Sequence, residues 1–257
     1  MKSPWIAFTR DVSPAIKHCE LTHLARKPID VATARAQHRA YEALLALLGC
    51  EVRRVTPAPM HPDAVFIEDT AVVLDEVAVI TRPGAVTRRD EVPSVVDALA
   101  PLRPMARIEP PATLDGGDVL VIGRAVFVGE TGRTNADGIE QLRSILAPLG
   151  YSVWGVPVTG CLHLKSAVTA VDDTTVLLNP AWVSAAAFSA YRVLLVDEAE
   201  PMAANVLRIG HALVYGTSFP RTLGRLRAAG FHPHTVKASE LEKAEGAVTC
   251  CSLILRA

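Results

Sequence analysis

Leu114-Asp115-Gly116-Gly117-Asp118-Val119-Leu120-Val121-Ile122-Gly123-Arg124-Ala125-Val126-Phe127-Val128 carries the pattern that decides the fold. Two short β-branched-rich runs, Val119–Ile122 and Ala125–Val128, face each other across Gly123-Arg124, which is hairpin chemistry. The unit occurs three more times. Ala71-Val72-Val73-Leu74 and Val77-Ala78-Val79-Ile80 flank Asp75-Glu76. Ala167-Val168-Thr169-Ala170 and Thr175-Val176-Leu177-Leu178 flank a turn with Asp172-Asp173. Asn205-Val206-Leu207-Arg208 and Ala212-Leu213-Val214-Tyr215 flank a turn with Gly210-His211. Successive turns lie roughly 35 to 50 residues apart, a spacing of repeat or propeller units.

Working outward, helical patterns follow several hairpins. Asp90 through Leu102 and Asn135 through Leu149 space their apolar residues by about 3.6. Thr222 through Ala229 does the same and is closed by a C-cap glycine, Gly230. A short strand comes next, as at Ser152-Val153-Trp154, so the unit reads hairpin, helix, strand. A fifth hairpin can be assembled from the two ends, pairing Cys251-Ser252-Leu253-Ile254 with Ile6-Ala7-Phe8-Thr9. Five such units around an axis make a five-bladed α/β propeller whose ring is closed by the N- and C-terminal strands. The alternative is an ordinary mixed α/β sheet. Repeated hairpins do not match the βαβ alternation of a doubly wound sheet, which favours the ring. No linker or composition break divides the chain, so residues 1–257 are expected to form one domain.

Bulk composition narrows the function classes. Half of the 257 residues are hydrophobic, enough for a substantial core and too many for a disordered chain. Net charge is 26 − 27 = −1 with no basic block, and aromatic residues are few, which argues against a nucleic-acid surface. No apolar stretch reaches bilayer length. Met1-Lys2-Ser3-Pro4-Trp5 meets Arg10 and Asp11 after a very short apolar run and does not read as a signal peptide. Five cysteines, two of them adjacent, fit reduced thiols in a cytoplasm better than a disulfide framework.

Several constellations carry chemistry, and each has a plainer reading. Cys250-Cys251 lies in a strand-like segment, Ala247 through Leu255. A thiol attacks as thiolate and wants a base or a positive field, and the base wants an orienting carboxylate; a strand cysteine is more often a small hydrophobe. If the segment is extended, Cys251 points away from Cys250 and is dispensable. His163, in Leu162-His163-Leu164-Lys165-Ser166, is the available base, although a lone histidine is usually a surface or core residue; Lys165 shares its face in an extended chain. Asp115 and Asp118 bracket a Gly-Gly that permits a tight turn or close approach of a ligand, and locally a simple turn is the commoner meaning. Asp63-Ala64-Val65-Phe66-Ile67-Glu68-Asp69 places Asp63 and Asp69 on one face of a strand with Glu68 opposite. Carboxylates at such a place suit a planar guanidinium; solvated loop-end charges are the alternative. Arg88 and Arg133 could pair bidentately with a carboxylate or lie on a solvated face. No Cys/His spacing suits structural zinc, and no Walker or Rossmann glycine pattern occurs.

Together, Phe66-Ile67-Glu68-Asp69, Ile80-Thr81-Arg82-Pro83-Gly84-Ala85, Leu114-Asp115-Gly116-Gly117-Asp118, Gly132-Arg133-Thr134-Asn135, His163-Leu164-Lys165-Ser166 and Thr249-Cys250-Cys251-Ser252 resemble the dimethylarginine dimethylaminohydrolase family of the guanidino-modifying pentein superfamily. The matches run in order from about Asp63 to the C-terminus. The resemblance implies a five-bladed propeller, hydrolysis of Nω-methylated arginine to citrulline and a methylamine, and no metal or organic cofactor. It implies that Cys250 is the nucleophile, His163 the general acid/base and Asp115 the carboxylate orienting it. It further implies that Asp69 holds the guanidinium with support from Glu68, that Asp63 lies near the α-amino end, and that Arg88 and Arg133 bind the α-carboxylate. Arginine deiminases resemble this family but have an acid where this chain has Lys165, which favours a methylated substrate here. Glu245 stands where the family often has Asp, near the amino-acid end of the substrate. The expected partner is the small-molecule substrate, with no nucleic acid or membrane, and a homodimer is compatible with it. A lid is expected in the stretch from Cys19 to Asp30. The other readings are a deiminase that releases ammonia from free arginine and a non-catalytic propeller that binds protein or ribosome.

Overall fold

Five three-stranded sheets repeat one plan. The structure, a computed structural model, describes residues 5–257; Met1–Pro4, the start of the segment read against a signal peptide, lie outside them. Strands β1 (Trp5–Thr9) and β2 (Cys50–Arg54) open the chain. Then come β3 (Ala71–Val73), β4 (Ala78–Ile80) and β5 (Met105–Arg107), followed by β6 (Val119–Ile122), β7 (Ala125–Glu130) and β8 (Ser152–Pro157). The next two sheets are β9 (Val168–Ala170), β10 (Thr175–Leu178), β11 (Arg192–Leu195) and β12 (Val206–Ile209), β13 (Ala212–Gly216), β14 (His234–Val236); β15 (Leu253–Arg256) ends the chain. In every sheet the first two strands pair antiparallel and the third joins the second in parallel, the fifth sheet being β15-β1-β2. A parallel neighbour requires a crossover, supplied in turn by α1 (Val31–Leu47), α2 (Pro93–Leu99), α3 (Ala136–Leu146), a short 3₁₀ turn at Ala185–Phe188 and, further on, by a helix over Pro220–Ala228. The expected propeller is present, closed by the two terminal strands.

Local chemistry explains the elements. Gly123 and Gly210 turn two of the hairpins at φ 59° and 57°, values a side chain resists. Asn135 caps α3 by accepting from the Gly138 N–H at 2.9 Å, and Asp30 caps α1 through Thr33. Helix α3 then buries Ile139, Leu142 and Leu146 against Val126, Val128 and Val153 of its own sheet. Each such side chain contributes about 1.5–3 kcal/mol.

Three expectations need correction. Asp63–Asp69 is not a strand: turns lead into a 3₁₀ helix at Ile67–Thr70, so the alternating-face reading of its acids does not apply. The backbone turns there because Asp63 O accepts the Phe66 N–H at 2.8 Å and the Arg88 guanidinium gathers the carbonyls of Asp63 and Phe66. Cys250 and Cys251 sit in a turn, with Cys250 N–H donating to Ala247 O, and the strand begins only at Leu253. The terminal pairing is accordingly Phe8 with Leu253 through Trp5 with Arg256, two residues later than expected on the C-terminal strand and one earlier on β1. Lys165 lies in α4 (Leu164–Ala167), a single helical turn, and not on an extended segment with His163. The strand expected after each helix is present, as β5, β8 and β14 show, but helix α1 and the strands β2 and β11 were not anticipated.

The first strands of the sheets line the axis, β15 beside β3, β6 beside β9, and β9 beside β12. They enclose a channel of ≈ 470 Å³, whose lining includes Glu68, Lys165 and Thr249. A smaller pocket containing Cys250 and His163 lies apart from it, formed by the loops that enter the blades. No helix among the described residues is long and apolar enough to cross a membrane.

Candidate active site

The Asp115-Gly116-Gly117-Asp118 turn is the hub that assembles the pocket. Leu114 bridges antiparallel to Arg82, and Gly84 N–H donates to Asp115 Oδ1 at 2.9 Å, which fixes that carboxylate at the start of the second blade. Its other oxygen, Oδ2, takes a 3.0 Å hydrogen bond from His163 Nε2, and Asp115 is fully buried. Gly117 N–H donates to Asp69 Oδ1 at 2.9 Å. Asp118 accepts from Thr131 and Thr134 hydroxyls at 2.7 Å each and from the Leu164 N–H at 2.9 Å, clamping the residue after His163. Gly117 has no freedom to carry a side chain: a Cβ would stand 2.6 Å from His163 Nδ1 and 2.7 Å from Asp69 Oδ1.

Electrostatics follow from this packing. Burial alone would lower the His163 pKa, but Asp69, the Asp115 hydrogen bond and Asp118 lift it to about 9. The imidazole is therefore a cation at neutral pH. Its Nδ1 stands 3.8 Å from Asp69 Oδ1, too far for a hydrogen bond, and is the nitrogen left to face a ligand. Burial pushes the Asp69 carboxyl up, yet His163, Arg88 and the Gly117 N–H together hold it well below the usual range. Burial and the charges of Glu68 and Asp69 push the Cys250 thiol up to about 12. At neutral pH the site thus pairs an imidazolium with a protonated thiol.

The remaining expected residues fall into two groups. Asp63, Asp69, Arg88, Arg133 and Glu245 line the same pocket as Cys250 and His163. Arg88 is buried and bonds Asp69 Oδ2 at 2.5 Å through Nη1, while Nη2 reaches Glu91 Oε2 at 2.9 Å and the carbonyls of Phe66 and Asp63. It sets the position of Asp69 as well as walling the pocket. Arg133 is half-buried and reaches Thr22 Oγ1 at 3.5 Å. Asp63 Oδ2 accepts the Glu20 N–H at 3.1 Å, and burial lifts the Asp63 pKa to about 6 against the opposing charge of Arg88. Glu245 turns its carboxylate to the backbone of residues 22–24.

Glu68 differs from these and lines the channel. Its Oε1 takes Lys165 Nζ at 2.5 Å and its Oε2 the Thr249 hydroxyl at 2.9 Å, with Asn205 Nδ2 donating to the same hydroxyl at 3.0 Å. The turn holding Cys250 is further pinned where Cys250 O accepts the Glu68 N–H at 3.1 Å. Glu68 therefore supports the turn that carries Cys250. Asp118, Thr134, Glu91 and Asn205 had no assigned role; Asp118 was visible as the second acid of the Gly-Gly turn, but nothing in the local sequence marks Asn205.

Asp69, Asp115 and His163 offer three potential metal donors within 4.8 Å of one another. Both carboxylates face the imidazole, whose proton supplies the charge compensation that a cation would bring.

No family model matches the chain. The curated dimethylarginine dimethylaminohydrolase of Streptomyces coelicolor is 44% identical over 97% of this chain and 96% of its own length. The Pseudomonas aeruginosa enzyme of that name, solved as a cysteine-to-serine mutant complexed with citrulline, superposes with a TM-score of 0.92 at 29% identity, covering 97% of this chain and 98% of its own. A dimethylarginine dimethylaminohydrolase adduct with S-methyl-L-thiocitrulline, carrying glycine in place of a histidine, gives a TM-score of 0.91 at 30% identity over the same shares. This chain belongs to the dimethylarginine dimethylaminohydrolase family.

Proposed function

We propose that this protein hydrolyses Nω-methylated L-arginine, asymmetric dimethylarginine or its monomethyl counterpart, to L-citrulline and the corresponding amine. The observation that carries this reading is the imidazolium of His163 held by Asp115 beside Asp69, in one pocket with Cys250. A guanidinium carbon is a poor electrophile, so the reaction needs positioning, a strong nucleophile and a proton for the leaving amine.

Asp69 holds the guanidinium cation and fixes its plane toward Cys250. The added positive charge offsets Asp69 and Glu68, which otherwise keep the thiol protonated. The thiolate attacks the guanidinium carbon and forms a C–S bond. His163 gives its Nδ1 proton to the methylated nitrogen, the C–N bond breaks, and the amine departs from a covalent thiouronium on Cys250. His163, now neutral, takes a proton from water as the water oxygen attacks the same carbon. The C–S bond then breaks, and the proton of the new hydroxyl passes to the departing sulfur as the carbonyl forms, leaving citrulline and the Cys250 thiol. Acid–base assistance of this kind is worth roughly 10²–10⁴-fold. Asp63 and Arg133 line the same pocket, where they suit the amino and carboxylate groups of the substrate, and Arg88 lines it too while holding Asp69.

Free arginine fits less well. Arginine deiminases have an acid at the position of Lys165, which in this chain pairs with Glu68 and lines the channel, so this position offers no second carboxylate to the unsubstituted nitrogens of free arginine. The same reading places the enzyme in a reducing cytoplasm, which suits its five free cysteines. The test is incubation with asymmetric dimethylarginine and, separately, with arginine, assaying citrulline and the released amine. Citrulline with dimethylamine and little product from arginine is expected. Ammonia from arginine alone would assign a deiminase, and no citrulline from either would refute the proposal.

A further inference from the structure

We infer that Glu245 latches the loop of residues 20–24 over the pocket and acts as a positioning residue for the reaction, through that loop. The inference rests on the substrate class proposed above only for its kinetic consequence. Its basis is geometric. Thr22, His23 and Leu24 are consecutive, and all three backbone N–H groups converge on one carboxylate: Thr22 lies 3.1 Å from each Glu245 oxygen, His23 and Leu24 2.5 Å from Oε1. Successive N–H groups around an anion form a nest, and bonds to an ionised acceptor are the stronger kind.

The backbone of Glu245 points the same way. At φ 59° it is the non-glycine residue in the left-handed region among the described residues. That conformation is unfavourable for a residue with a Cβ, and such strain persists where the surroundings impose it. Gly246 follows immediately, pressed against the Phe66 ring so closely that a Cβ would stand 2.1 Å from it. A glycine at 245 would remove the backbone penalty, but with it the carboxylate that Thr22, His23 and Leu24 share.

The loop depends on that carboxylate because its own side chains anchor it weakly. Leu21 packs against a buried apolar cluster at the start of the loop, but residues 22–28 are all exposed and none joins such a cluster. The other ties are Glu20 N–H to Asp63 Oδ2, the Thr87 hydroxyl to Glu20 Oε1 at 2.8 Å and Arg133 Nη2 to Thr22 Oγ1. Glu20 lines the pocket with Cys250 and His163. Asp63 and Arg133 bond this loop and also line the pocket, where they suit the amino-acid part of the substrate. Closing the loop therefore ties it to those two residues and shields the site from water, as lids do.

The test compares wild type with E245Q and E245G by hydrogen–deuterium exchange over residues 20–25, by trypsin cleavage after the exposed Arg26, by thermal unfolding and by kinetics. Both variants should exchange the amides of Thr22, His23 and Leu24 at least about tenfold faster, and should be cut after Arg26 sooner. E245G should unfold at no lower temperature than wild type, because glycine adopts the left-handed region freely. KM should rise about tenfold in both, more than kcat falls; tenfold is about 1.4 kcal/mol, near one hydrogen bond to a charged group. Unchanged loop exchange and cleavage would overturn the latch, even with a raised KM, since Glu245 would then touch substrate directly. A faster loop with unchanged KM, read on whichever guanidino compound is hydrolysed, would remove its part in the reaction. Exchange and proteolysis need no substrate, so a wrong substrate class would leave them intact and show itself only in the kinetics.

Discussion

His163 shows how much a residue's chemistry depends on neighbours distant in the chain. Imidazole alone titrates near pH 6.5, whereas here burial lowers its pKa and Asp69, Asp115 and Asp118 overcome that and lift it to about 9. A folded-state pKa above the unfolded value contributes stability that is fully present below about pH 6.5 and is lost as pH rises through 9. Stability should therefore fall between about pH 7 and pH 9.5 by on the order of 1–3 kcal/mol, read as a lower melting temperature. His163→Gly should abolish that part of the fall, and an identical pH profile in the variant would show that the imidazolium is not the cause. Cys250 titrates in the opposite sense. In the free protein its thiol, raised to about 12 by burial and by Glu68 and Asp69, should react with iodoacetamide slowly at pH 7–8. A guanidinium ligand too short to cover the sulfur should lower the pH at which alkylation sets in. Fast alkylation of Cys250 at pH 7 without ligand would contradict this. Cys250, His163 and Asp115 were legible in the sequence through their residue types and the flanking motifs. The clamp of Asp118 on Leu164 was not, because hydrogen bonds between blades leave no periodic trace.

At the scale of the element, the decisive pieces are turns that look like strands. Val248-Thr249-Cys250-Cys251 is apolar and β-branched enough to extend the strand that follows it. Its backbone instead closes a turn, because Thr249 N–H bonds Asn205 Oδ1 at 3.1 Å and Cys250 O takes the Glu68 N–H. Those partners are 44 and 182 positions away in the sequence and override local propensity. The segment from Asp63 to Asp69 misleads for the same reason: Arg88, from the next loop, gathers its carbonyls. Hairpins were read correctly because turn glycines and alternating runs are local signals; β11, with four residues, carries too little pattern to stand out. The Gly-Gly turn offers the sharpest test at this scale. Gly117→Ala would force a Cβ to within 2.6 Å of His163 Nδ1. A displacement near 1 Å at such a place can cost about 10²-fold, so kcat should fall by at least that factor in a variant with a native circular dichroism spectrum. Activity within tenfold of wild type would mean that the turn can shift without moving the base.

The whole molecule is a ring, and its closure depends on chain ends that lie side by side. Trp5 pairs with Arg256 and Phe8 with Leu253, so the fifth sheet exists only when both termini meet. Ile6, Phe8, Leu253 and Leu255 bury their side chains in one cluster with Ile67 and Ile80 of the neighbouring blade. Leu255→Ala should cost about 2–5 kcal/mol, measured by urea unfolding. A circular permutant that joins the present ends and opens the Asp172-Asp173 turn should keep its activity, since that turn lies away from the pocket. An unfolded permutant would show that closure needs more than proximity of the ends. The ring was legible from counting hairpins, because repetition survives errors in any one unit; helix α1 was missed because its buried face mixes Ala34, Tyr41 and Leu45 with Gln37, His38 and Glu42, which blurs the apolar stripe. The ring's role is to bring loops from separate blades to one pocket, so that a thiol, an imidazolium and a carboxylate act on one carbon. That claim is tested most directly by acid-quenching the protein during turnover of asymmetric dimethylarginine and weighing the intact chain. One thiouronium adduct per chain, located on Cys250 by peptide mass and absent from Cys250→Ser, is the predicted result; turnover with the chain unmodified, or undiminished in Cys250→Ser, would contradict it.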